Sequence, residues 1–175
     1  GITASRIVVT SAADITVPEP ILAVAGSGSA INIVDGSSLT ASGTIADDRA
    51  GSYLIPSNSA ALPSDPFDQT GIGSVLRLSS GVQRTVSRLG SFAASNAGRS
   101  SQLNVGKAAL TGNSLLLDTN FRFSIDDGAQ LSAPLIGISA SNIAFGATGT
   151  ISASLESQLA NASELILSSA GAIFF

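Results

Sequence analysis

Asp126-Asp127 is the sharpest pair of carboxylates in the chain, and clustered carboxylates are what a carbohydrate-cleaving site uses for acid, base or nucleophilic work. A turn accounts for the same residues: Gly128 follows at once, and Asp35-Gly36 stands at an equivalent place with no second acid. Adjacent residues of a strand also point to opposite faces, so the pair would need a bulge to converge. The turn is therefore the preferred reading. Asp47-Asp48, with Asp65 and Asp68 nearby, offer oxygen ligands to Ca²⁺, but their spacing is not that of a calcium loop. A solvated polar loop explains them better. Arg77, Arg84, Arg88, Arg99 and Lys107 fall in a stretch without an acidic residue. They form a candidate basic face that could contact acidic polysaccharide, lipopolysaccharide or nucleic acid, with ordinary solvated charges as the competing reading. Nucleic acid is disfavoured, since the formal charge is −4 and aromatics make up only 5% of the chain. Gly26-Ser27-Gly28 lacks the Lys-Ser/Thr that ends a phosphate loop. With no His or Cys, neither a hydrolytic triad of the usual type nor thiolate chemistry can be built. The sequence thus points to no catalytic residue, no metal ligand and no cofactor.

These residues must be carried by a repeating framework. Four octapeptides are versions of one another: ITASRIVV (2–9), LTASGTIA (39–46), LTGNSLLL (110–117) and LSAPLIGI (131–138). A looser fifth, LANASELIL, covers 159–167. Each reads aliphatic, Ser or Thr, small, two free positions, then apolar residues at places six and eight in three of the four. Residues two apart in an extended chain face the same side, so each copy reads as two short strands about a bend. The small third residue (Ala4, Ala41, Gly112, Ala133) sits beside the bend, where a larger side chain would crowd the layer above. The step from Leu110 to Leu131 is 21 residues, one turn of a coil of parallel strands. Ile7, Leu115 and Ile136 are expected at equivalent inward positions, as are Val9, Leu117 and Ile138. Such recurrence marks a solenoid, in which each turn buries its apolar edge against its neighbours.

At 175 residues the chain has one domain's length, with 44% hydrophobic and only 11% charged residues, which argues against disorder. Strands with short turns are expected over 1–46 and again from 75. Residues 47–73 break the pattern with Pro56, Pro63 and Pro66, and proline cannot donate to a ladder. They read as a loop excursion that protease should nick first. The stretch 151–167 fits the strand repeat at least as well as a helix. No apolar run reaches the length of a membrane helix. The chain opens inside a repeat copy and closes on Ile173-Phe174-Phe175, so both ends read as cut, and the chain as a segment of something longer with its ends covered.

The stretches SVLRLSSGVQRTVSR (74–88), SQLNVGKAALTGNSLLLDTN (101–120) and FSIDDGAQLSAPLIGISASNIAFG (123–146) resemble the repeat region of filamentous-haemagglutinin-like exoproteins. These are the large bacterial surface proteins described as haemagglutinin or haem-utilisation adhesins. The resemblance runs from about residue 2 to 146, with 47–70 departing from the repeat, and implies an all-β, right-handed parallel β-helix; the whole of 1–175 is accordingly expected as a single β-helix segment with 47–73 as its loop excursion. It also implies two-partner secretion through an outer-membrane barrel, a role as an extended adhesin or the stalk of a contact-dependent toxin, and a location secreted or on the outer cell surface. No catalytic residue carries over from it.

The function so read is that of a non-enzymatic adhesin segment, presenting an elongated face to a glycan or protein of a host or neighbouring cell surface. Two alternatives stand beside it. One is a fibre protomer that self-associates end to end through its unpaired strand edges. The other, ranked behind both, is a carbohydrate-active β-helix enzyme.

Overall fold

Alternating apolar and polar residues produce strands throughout the computed structural model. It describes residues 2–3, 6–9, 14–18, 20–25, 30–43, 53–54, 74–80, 86–87, 101–119, 122–146, 149–169 and 171–175. Three larger sheets carry the fold. The first has six strands in the order β1 (Ile2–Thr3), β4 (Ile21–Ala25), β8 (Ser74–Ser79), β12 (Ser114–Thr119), β15 (Leu135–Ala140) and β17 (Glu164–Ser169). The second runs β2 (Arg6–Val9), β5 (Ala30–Ile33), β10 (Gln102–Val105), β13 (Arg122–Ile125). The third runs β3 (Asp14–Val17), β6 (Ser38–Ala41), β11 (Ala109–Thr111), β14 (Gln130–Ser132). Two small pairs stand apart, β7 (Tyr53–Leu54) with β9 (Val86–Ser87) and β16 (Ile143–Ala144) with β18 (Ile173–Phe174). One helix, α1 (Ala153–Leu159), completes the described elements.

Parallel pairing in register places like residues over like. Leu39, Leu110 and Leu131 form one column of the third sheet. Ile31, Leu103 and Phe123 form one in the second, beside Ile33, Val105 and Ile125. In the first, Leu115 lies against Ile136 and Leu117 against Ile138, then Leu165 and Leu167. These columns meet in a single apolar core between the three sheets. Gly112 shows why the third place of the octapeptide is small: a Cβ there would stand 3.2 Å from the Ala41 carbonyl of the layer beside it.

A single continuous parallel β-helix is not what forms. The described strands make several separate sheets, parallel and mixed, with a helix among them. The decisive departure is β8, which pairs antiparallel with both β4 and β12. A period-2 pattern reads the same in either direction, so SVLRLS announces a strand without announcing which way it runs. The octapeptides are also not all in one phase. Ile7 lies over Ile31 in the second sheet, away from Leu115 and Ile136 in the first. The residues that align with Leu39-Thr40-Ala41 are Ile15-Thr16-Val17.

The stretch 151–167, expected as strand, begins as helix. Ser152 caps it, its Oγ accepting from the Leu155 N–H at 3.4 Å, and Leu155 and Leu159, four apart, share one buried face. Strand resumes only at Glu164. Of residues 47–73 the structure describes Tyr53–Leu54, paired with Val86–Ser87 outside the larger sheets. The rest of that expected loop, with its cleavage site near Arg49, lies outside the described residues. No helix among the described residues is long and apolar enough to cross a membrane.

Leu117 is fully buried in the column joining Leu76 and Ile138. Leu117→Ala should cost about 3 kcal/mol, because the flanking strands are fixed by their own ladders and cannot close over the lost volume. Leu117→Asp should cost more, since it buries a charge. Urea denaturation midpoints check both, and an unchanged midpoint for Leu117→Asp would contradict the placement.

Candidate functional site: a polar groove over the second sheet

One face of the second sheet is apolar and the other is polar. In β5, β10 and β13 the inward residues are Ile31, Leu103, Phe123 and Ile33, Val105, Ile125, all buried. The residues between them turn outward and stack as Asn32, Asn104 and Ser124. Asn104 Nδ2 donates to Asn32 Oδ1 at 2.7 Å, linking neighbouring strands through side-chain amides. Both asparagines are half-buried and Ser124 is exposed.

Corners after these strands raise one wall. Their residues together with the asparagine column enclose an open groove of about 640 Å³, lined by Asn32, Asn104, Ser124, Lys107, Asp126 and Asp127 among others. The middle corner, Gly106-Lys107-Ala108, has one residue fewer than Val34-Asp35-Gly36-Ser37 or Asp126-Asp127-Gly128-Ala129. Asp35 makes up the difference: its Oδ1 accepts from the Lys107 N–H at 2.8 Å, and the Gly36 N–H donates to the Lys107 carbonyl at 2.8 Å. Gly36 takes φ of 76°, the left-handed conformation that a tight Asp-Gly turn needs. A Cβ on Gly106 would collide with the Asp35 carboxylate, so glycine there lets the carboxylate reach across. On the other side Lys107 lays its stem over Gly128, where a Cβ would stand 2.9 Å from Lys107 Cγ. Lys107 therefore projects from a corner fixed on both flanks.

Asp126-Asp127 is a turn, as its sequence suggests. Asp126 Oδ1 accepts from the Gly128 N–H at 2.8 Å, closing its own corner, and Asp127 is exposed beside it. Among the described residues no group of three or more His, Cys, Asp or Glu could hold a metal ion. Asp47, Asp48, Asp65 and Asp68 lie outside the described residues.

The basic residues do not assemble as one described face. Lys107 is exposed in the groove, but Arg77 is wholly buried on β8, with Nη2 donating to Ser114 Oγ at 2.9 Å. An alternating strand suggests that a polar residue at 77 faces water. Instead β8 and β12 are buried on both faces, and Val75, Leu116 and Asp118 share the covered side with Arg77. Arg77 thus cannot contact a ligand from this position. Arg84, Arg88 and Arg99 lie outside the described residues.

A second polar cluster is internal. Ser74 Oγ lies 2.8 Å from Ser101 Oγ and 2.9 Å from Thr119 Oγ1, all three buried, and Thr119 Oγ1 also donates to the Ser101 carbonyl at 3.2 Å. These hydroxyls satisfy one another where the apolar columns end, a structural use of polar groups in a core.

The sequence reading missed Asn32 and Asn104. A signal was present: Ile31-Asn32-Ile33 and Leu103-Asn104-Val105 share an apolar-Asn-apolar pattern, which on adjacent strands must place the two amides side by side. The octapeptide repeat is defined by its aliphatic positions and does not include either asparagine.

Gly106→Ala should destabilise by about 2 kcal/mol through overpacking against Asp35. In the Gly106→Ala/Asp35→Ser double variant the two losses should sum to less than their separate values, since one clash is removed. Thermal melts of the four proteins check this, and strict additivity would show that the two residues do not meet.

No protein-family model matches the chain, and no curated protein or solved structure does either.

Proposed function

We propose that this chain is a non-enzymatic binding segment of a secreted bacterial surface adhesin, and that it holds a cell-surface glycan in the groove over the second sheet. The observation that carries this reading is the outward column Asn32, Asn104, Ser124 with Lys107 and Asp127 above it. Amides, a hydroxyl, an ammonium and a carboxylate together offer the donors and acceptors that sugar hydroxyls need. Strands lie about 4.8 Å apart, close to the length of one pyranose unit, so a linear glycan crossing the strands would meet one polar residue per sugar. Asp126 and Asp127 oppose Lys107 in charge, which favours neutral glycans over the acidic polysaccharides that a basic face would select. The engagement of Asp126 with Gly128 supports binding over hydrolysis, because that carboxylate oxygen already builds the turn.

Secretion through a partner outer-membrane barrel and display on the outer cell surface rest on the sequence resemblance to filamentous-haemagglutinin-like exoproteins. The small share of charged residues, 11%, suits a face that recognises its ligand by hydrogen bonding.

Calorimetric titration with linear β-linked neutral hexasaccharides tests the groove. Asn32→Ala/Asn104→Ala should weaken binding by about 2 kcal/mol, roughly thirtyfold, by removing two hydrogen-bonding groups. Circular dichroism should be unchanged, as both side chains face outward. Binding that survives the double variant intact, or no binding of any hexasaccharide by the parent chain, would overturn the proposal.

A further inference from the structure

The edge of the third sheet ends in a side chain that acts as backbone. Gln158 of α1 donates from Nε2 to the Ala129 carbonyl at 2.9 Å and accepts at Oε1 from the Leu131 N–H at 2.8 Å. One layer further in, Gln130 pairs with Ala109 and its own N–H donates to the Ala108 carbonyl at 2.8 Å. In a parallel ladder a residue bridges the neighbours of its partner, its N–H to the one before and its C=O to the one after. The Gln158 amide thus does for Ala129 and Leu131 what a strand residue opposite Gln130 would do. A carboxamide carries the same donor and acceptor as a peptide unit, so the substitution is chemically complete for one residue. Leu155 and Leu159, both buried, hold α1 against β14, and Gln158, one turn on from Leu155, lies beside it on the helix surface.

We infer that α1 is an edge guard: Gln158 occupies the hydrogen-bonding positions of the next strand and so prevents β14 from accepting a strand of a second copy of this chain. The strand that fits is β3, at the opposite edge of the same sheet. β3 pairs with β6 in the register Ile15 to Leu39, and Leu39, Leu110 and Leu131 continue that column. A second copy's β3 added in parallel to β14 would set Ile15 over Leu131 and repeat a contact the sheet already makes. Simple end-to-end association is thereby blocked at β14, against the expectation from an unpaired edge.

Two variants test this in the full chain. Gln158→Ala should convert a monomer in sedimentation velocity into species that grow with concentration. At low concentration its Leu131 amide should exchange with solvent on the order of tenfold faster than in the parent, with protection returning on association. Thr16→Pro supplies the second arm. The Ser37 carbonyl bonds toward β11, so Ser38 and Thr40 bond toward β3 and engage Ile15 and Val17, leaving the Thr16 N–H on the outer edge. Proline is tolerated at such an edge and removes the donor a new ladder needs. Gln158→Ala/Thr16→Pro should therefore stay monomeric while keeping the fast Leu131 exchange. A monomeric Gln158→Ala protein at the highest concentration, an unchanged Leu131 amide, or oligomers that persist in the double variant would each overturn the inference.

Discussion

In-register parallel pairing is the constraint on which the rest of this structure depends. Each backbone ladder fixes the spacing between layers, and in the parallel pairs of the second and third sheets the shared register sets inward apolar residues over one another and outward polar residues over one another. Apolar columns such as Leu39, Leu110, Leu131 then close the core, and polar columns such as Asn32, Asn104, Ser124 are forced into line on the outside. The groove is thus a by-product of the same register that packs the interior. A one-residue slip in β10 would send Asn104 into the core and Leu103 into water, so the site and the stability stand or fall together.

Corners absorb what the ladders cannot. The corner at Gly106-Lys107-Ala108 is one residue short, and the chain compensates with a side chain: the Asp35 carboxylate reaches over a glycine to take the Lys107 N–H. The same device recurs at the sheet edge, where the Gln158 carboxamide takes the Ala129 carbonyl and the Leu131 N–H. In both places a polar side chain completes a hydrogen-bond pattern that backbone would otherwise leave open. The hydroxyls of Ser74, Ser101 and Thr119 apply that rule inside the core, where the apolar columns give way.

The mixed sheet separates two kinds of chemistry. The second sheet is half-buried and offers its outer face to the groove, whereas β8 and β12 of the first are buried on both sides. A polar residue on a strand therefore means different things in the two. Asn104 is a candidate ligand contact. Arg77 is an internal group bonded to Ser114.

The sequence by itself determined most of the described strands, the columns through Leu39, Leu110 and Leu131 and through Leu115 and Ile136, and the Asp-Gly turns. Leu110-Thr111-Gly112 and Leu131-Ser132-Ala133 match in sequence because hydrophobic identity and a small residue beside the corner are local requirements. Asp35-Gly36 and Asp127-Gly128 were legible as turns for the same reason. Tertiary structure alone decided what depends on a partner. The direction of β8 follows from the path of the chain around it, since alternation has no polarity. The phase of ITASRIVV, split between the first and second sheets, follows from which strand each half meets, and Ile7 falls beside Ile31 accordingly. Helix at 153–159 goes with a capping Ser152, with Leu155 and Leu159 buried on one face, and with Gln158 bonded to the edge of β14. The burial of Arg77 follows from a second face being covered, a fact that no alternating pattern contains, because period 2 tells which residues share a side and leaves open what lies against it.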